Sequence, residues 1–146
     1  MIQRIQTVFL LLAAIILGLL FTSTFSFASV GVNLFGSDGL FNIYDHMAMT
    51  IINGIAASAF LIAIFLYKDR KQQRTLVLLA TVLVLVLIGF GVYLWLDVSS
   101  VQGDITEQAS AGIGVSNPVI SLIFGLLALR FIKKDDLLVK SMDRLR

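Results

Sequence analysis

Two asparagines, Asn53 and Asn117, sit inside long apolar stretches where an amide has no water to bond. Asn53 lies about six residues, or ~9 Å of helix, into the apolar segment that begins at Met47. Asn117 stands between Ser116 and the single proline, Pro118. Thr22, Ser23, Thr24 and Ser26 close the first apolar segment. If these regions share one depth, Thr22, Thr24, Asn53, Ser116, Asn117 and Pro118 would line a polar crevice hinged at the proline. Such a crevice would bind a lipid headgroup or a small neutral solute. The plainer use of the same residues is interhelical hydrogen bonding, at about 0.6–2 kcal/mol per contact, and it takes precedence.

Other chemistries find few residues to carry them. The chain has no cysteine, which excludes disulfides, thiolate zinc sites and thiol catalysis. His46 is the one histidine and cannot supply a haem ligand pair or a zinc site. Asp38, Asp45, Asp97, Asp104 and Glu107 are spread along two segments without a dense calcium-loop pattern, so a solvated acidic face is expected. No ionisable residue lies in the core of an apolar segment, which argues against a proton-coupled transporter, a pump or a charged pore. No nucleophile–base pair can be assembled. The expectation is a non-enzymatic protein with no cofactor, no metal and no nucleic-acid partner.

The elements that must position these residues are read from charge. Of 146 residues, 58% are apolar and the mean hydropathy is +0.97, outside the range of a soluble domain. All eleven Lys and Arg fall at Arg4, at Lys68–Arg74 and at Arg130–Arg146. No base occurs from Ile5 to Tyr67 or from Thr75 to Leu129. The basic stretches hold eleven bases and four acids, a balance of +7; the segments between them hold five acids, a balance of −5. Short loops rich in Lys and Arg stay cytoplasmic. The expected fold is therefore an all-α bundle of four transmembrane helices in a single domain, with both termini and the Lys68–Arg74 loop inside.

The spans are expected near residues 5–27, 47–67, 75–96 and 105–132. A signal peptide ending near Ser26-Phe27-Ala28 is the competing reading of the first, and a retained span is preferred. From Pro118 to Ile132 a helix would reach only about 22 Å, so the fourth helix is expected to start earlier. Asp104-Ile-Thr-Glu107 offers a capping box for that start, and Pro118 would then bend the helix. A short outer helix followed by a break is the alternative. Val30, Val32 and Leu34 alternate ahead of Gly36-Ser37-Asp38-Gly39, and Leu40–Ile43 follow, the pattern of a short outer β-hairpin. Small residues four apart, Gly54 with Ser58 and Ser121 with Gly125, offer close-packing faces. Leu76–Leu87 would face lipid. Leu138, Met142 and Leu145 form an apolar stripe in residues 133–146, so the last span should continue as an amphipathic helix. Its two uses are an anchor on anionic headgroups and a dock for a partner.

The two ends of the chain carry a resemblance. Met1-Ile-Gln-Arg-Ile-Gln-Thr7 followed by Leu10–Ala14, and Ala128-Leu-Arg130 with Ile132, Lys133-Lys-Asp135, Leu138-Val-Lys-Ser141 and Asp143-Arg-Leu-Arg146, resemble the bacterial integral membrane family labelled domain of unknown function 4293. Met142 is a mild departure from that pattern. The resemblance spans the chain and implies a small multi-pass protein of the bacterial cytoplasmic (inner) membrane, with no activity to carry over. Both motifs would lie on the cytoplasmic face. They suggest a docking surface of Arg4, Gln6, Thr7, Arg130, Lys133, Lys134, Asp135, Lys140, Asp143, Arg144 and Arg146. The expected role is an accessory or scaffolding subunit of an inner-membrane assembly, with lipids and other membrane proteins or a second copy as partners. The alternative is a binder or carrier of a lipid or small neutral solute through the outer crevice.

Overall fold

The computed structural model describes residues 2–30, 39–102 and 109–143. Four helices dominate: α1 (Ile2–Leu19), α2 (Met47–Phe65), α3 (Arg70–Gln102) and α4 (Ser116–Asp143). Each packs on two neighbours, α1 on α2 and α4, and α3 on α2 and α4, so the bundle closes as a ring. The core is built on helical spacing. Leu10, Ala13, Ala14 and Leu17 are buried on α1, and Met49, Asn53, Ala56, Ala59, Phe60 and Ala63 on α2. Val77, Ala80, Val84 and Leu87 of α3 turn inward, while Leu78, Leu79, Val82, Leu85 and Val86 turn outward as a lipid-facing stripe would. On α4 the inward row is Ser121, Gly125, Ala128 and Ile132.

Small side chains set the helix spacing. A Cβ on Gly125 would lie 2.9 Å from Thr81 Oγ1 and 3.1 Å from Phe60 Cζ, so α4 touches α3 and α2 there without room for a methyl group. Ser121 and Gly125 thus form a close-packing face. Gly54 and Ser58 do not form a matching seam: Ser58 is exposed and donates to Ile55 O at 2.9 Å. α2, α3 and α4 are each long and apolar enough to cross a membrane, whereas the apolar part of α1, Ile5–Leu19, is shorter.

Helix boundaries differ from the expected ones because the groups at the helix ends find other partners. α1 stops at Leu19, not residue 27, because its last carbonyls find other donors. Leu17 O accepts from Leu20 N–H and Asn53 Nδ2, and Leu19 O from Thr22 N–H and Thr22 Oγ1. The link between α2 and α3 is shorter than Lys68–Arg74. Asp69 Oδ1 accepts from Gln72 N–H at 3.1 Å, an N-cap that starts α3 at Arg70 and puts Arg70, Lys71 and Arg74 on the helix.

The largest correction concerns the fourth helix. It starts at Ser116, and Pro118 occupies its first turn, where a missing N–H is harmless and a fixed φ is favourable. Pro118 is therefore no mid-helix bend. Length is recovered at the other end, since α4 runs on to Asp143, 28 residues or about 42 Å. Asp104 and Glu107, the expected capping box, lie outside the described residues.

Before α4 the chain is extended. β1 (Ala28–Val30) pairs antiparallel with β2 (Leu40–Phe41), as the hairpin pattern predicts, with Ala28 opposite Phe41. Residues 31–38 lie outside the described residues. A third strand, β3 (Ala109–Ala111), adds to the other edge of β1, giving the order β2-β1-β3. This sheet caps one end of the bundle and joins the segment after α1 to the segment before α4. Gly112 N–H donates to Phe27 O and Gly114 N–H to Ser26 O, both at 2.9 Å. A Cβ on Gly114 would collide with Phe25 O and lie 2.6 Å from Ser26 O, and one on Gly112 would collide with Ser26 O. Only glycine permits this approach.

Candidate functional site

At the sheet end, polar side chains of α2 and α4 converge on one face of α1. Asn53 Nδ2 donates to Leu17 O at 3.1 Å, and Ser121 Oγ donates to Ala13 O at 3.2 Å. Ala13 and Leu17 are one helical turn apart, so their carbonyls lie in one row along α1. Asn117 is one turn from Ser121 on α4, toward the sheet, and so stands level with Leu17. Asn53 is fully buried and Asn117 is 5% exposed. Both amides therefore point inward, and the helical register sets them at a similar level.

The remaining crevice residues behave differently. Thr22 is exposed and caps α1 through its bond to Leu19 O. Ser116 is exposed and donates to Ile113 O at 2.7 Å, closing the turn before α4. Thr24 is exposed, and Pro118 is buried beside Asn117. The six predicted residues thus divide into a buried group of three and a surface group of three, rather than lining one open cleft.

Around this layer the connection from α1 to α2 is tied down residue by residue. Tyr44 Oη donates to Phe21 O and Thr50 Oγ1 to Ile43 O, both at 2.8 Å. His46 Nδ1 accepts from Ala48 N–H at 3.2 Å and N-caps α2, and its ring meets Phe90 edge-on with centroids 5.0 Å apart. Asn42 N–H donates to the Asp45 carboxylate. Trp95 of α3 packs against Phe41 of β2, with ring centroids 6.3 Å apart.

The opposite end is charged. Here the two signature ends of the chain do meet: Gln6 Nε2 donates to Phe131 O at 3.3 Å, and Phe9 stacks on both Phe131 and Phe124. Gln6 is buried, so it joins the helices instead of facing a partner. Asp135 is held by Arg70, with Nε to Oδ2 3.3 Å, which ties the start of α3 to α4. Gln73, also buried, donates to Ala63 O at 3.0 Å across the α2–α3 turn. Arg130, Lys133 and Lys134 are exposed, and Thr7 is half-buried. The side chains of Arg4, Lys140, Asp143, Arg144 and Arg146 lie outside the described residues.

Sequence reading overlooked Gln73 and the paired role of Ser121. Ser121 carried a signal, a hydroxyl inside an apolar stretch, whereas Gln73 lies among Arg70, Lys71, Gln72 and Arg74 and only packing sets it apart. Nothing local marked Gly112 and Gly114, because only the backbone of Phe25–Phe27, distant in sequence, makes them necessary. No group of three or more potential metal ligands occurs among the described residues. A family model described as "Domain of unknown function (DUF4293)" matches residues 2–145. No curated protein and no solved structure matches the chain.

Proposed function

Since the chain belongs to the domain-of-unknown-function family 4293, whose name brings no activity to carry over, we propose a scaffolding role. It is a non-enzymatic, four-pass protein of the bacterial cytoplasmic membrane, with both termini inside, and an accessory subunit of a larger membrane assembly. One observation carries this reading. The Gln6–Phe131 and Arg70–Asp135 contacts lock α1, α3 and α4 together at the charged end, directly beside exposed Arg130, Lys133 and Lys134. Side chains held on a rigid helix lose less freedom on docking than those on a loose tail. The same end gathers the two recognisable sequence motifs and the basic α2–α3 link, which supports the inside orientation.

The absence of cysteine makes the test simple. Single cysteines replace Ser29 at the sheet end and Lys68 or Lys133 at the charged end. In intact cells a membrane-impermeant maleimide should label S29C alone; labelling of K133C before lysis would reverse the orientation. A photo-crosslinker at position 134 should then give one discrete protein adduct, either a second copy or a different membrane protein. Adducts with lipid alone would refute the subunit role.

A further inference from the structure

Among the described residues, two buried polar side-chain atoms lack a hydrogen-bond partner: Asn53 Oδ1 and Asn117 Nδ2. One is an acceptor and the other a donor. Asn53 Nδ2 is already committed to Leu17 O, which fixes how its amide is turned. The carbonyl row of α1 supplies the register. Ser121 reaches Ala13 O, and one turn toward the sheet Asn53 reaches Leu17 O, with Asn117 one turn from Ser121 in the same direction. The register thus brings the two unpaired atoms to a similar level of the bundle.

Leaving a buried donor or acceptor unmet costs more than a typical net hydrogen bond returns. A single hydroxyl meets both needs, because its oxygen accepts while its hydrogen donates. We propose that Asn53 and Asn117 bind a hydroxyl group inside the bundle, carried either by a buried water molecule or by a small neutral alcohol. The enclosure of both amides, fully buried and 5% exposed, selects a guest of this size over a lipid headgroup seated in an open cleft. This site goes beyond the scaffolding role and stands independently of it.

The test uses the full chain in detergent micelles. Side-chain amide resonances of Asn117 are assigned, and rotating-frame Overhauser transfer from water is measured, alongside native mass spectrometry of the same sample. A water cross-peak to the Asn117 amide that disappears in Asn53→Leu supports the proposal with water as the source. A bound mass of a small neutral alcohol, lost in Asn117→Leu, supports it with an organic source. Neither signal in the unmodified chain overturns the proposal, and so does a direct Asn53–Asn117 hydrogen bond seen as a scalar coupling across the two amides. The measurements on the unmodified chain decide the matter even if a variant fails to fold.

Discussion

Replacing Gly114 with alanine tests the idea that the sheet end is held by backbone contact that tolerates no side chain. The new Cβ would collide with Phe25 O and lie 2.6 Å from Ser26 O, both backbone atoms that cannot swing aside as a side-chain tip would. Relief requires the Ile113–Val115 turn to move off Ser26, which breaks the 2.9 Å bond from Gly114 N–H to Ser26 O. That bond contributes about 0.5–1.5 kcal/mol. Forcing one extra carbon into a packed site adds about 1–3 kcal/mol. The expected loss is therefore about 2–4 kcal/mol for Gly114→Ala, and Gly112→Ala should behave alike. Gly18 and Gly89 serve as controls. Both are helical, and a Cβ at either meets nothing within 4 Å. Alanine there should be neutral or stabilising by about 0.5–1 kcal/mol, because glycine loses more freedom on entering a helix. Equilibrium unfolding in mixed micelles measures all four variants. Trp95 is the single tryptophan and packs on Phe41 of the sheet, so its fluorescence reports the affected region. A Gly114→Ala midpoint equal to that of the unmodified chain would refute the reasoning, as would controls that fall by the same amount.

Three further outcomes follow from particular contacts. Gly125→Leu should lower stability by more than about 3 kcal/mol, because the side chain has to displace Thr81 and Phe60 where the helices already touch; the same unfolding assay reads it. Gln73→Leu leaves the Ala63 carbonyl without its side-chain donor and should cost about 1–2 kcal/mol, seen as faster amide exchange across the α2–α3 turn. Asp135→Asn should change stability by less than about 1 kcal/mol, because the pair with Arg70 is partly exposed, 27% and 14%, and solvent screens it; a larger loss in thermal unfolding would mean the pair is better shielded than its exposure indicates.

Much of the helical layout was legible from periodicity and charge. Along Leu76–Leu87 both faces are apolar, so the sequence marks an apolar helix expected to face lipid, while packing alone turns Val77, Ala80, Val84 and Leu87 inward and leaves Leu78, Leu79 and Val82 outside. That the chain ahead of the turn pairs with Leu40–Phe41 was legible in the sequence; the pairing observed is at Ala28 and Ser29, and Val32 and Leu34 lie outside the described residues. Some boundaries are set by a local cap, as at Asp69, and others by a distant partner. α1 was expected to run to residue 27, yet Asn53, 36 positions from Leu17, supplies a donor at its end. Pro118 was expected to bend a helix, because the sequence does not reveal that the preceding residues are drawn into β3 and the turn behind it.

For the candidate site the division is similar. Asn53 and Asn117 stood out because an amide in apolar surroundings needs a partner, a requirement that holds wherever the residue lies. Composition and charge placement by themselves determined a family of apolar helices with basic residues gathered at one set of ends. Which amide atoms are satisfied and which remain unpaired was decided only by packing, because a hydrogen bond depends on the position of both partners. Gln6 shows the same limit from the other side. It reads as a surface residue beside Arg4, and only the approach of α4 turns it inward onto Phe131 O. Local pattern specifies what each segment needs, while the tertiary structure selects which neighbour, in the ring of four helices, meets that need.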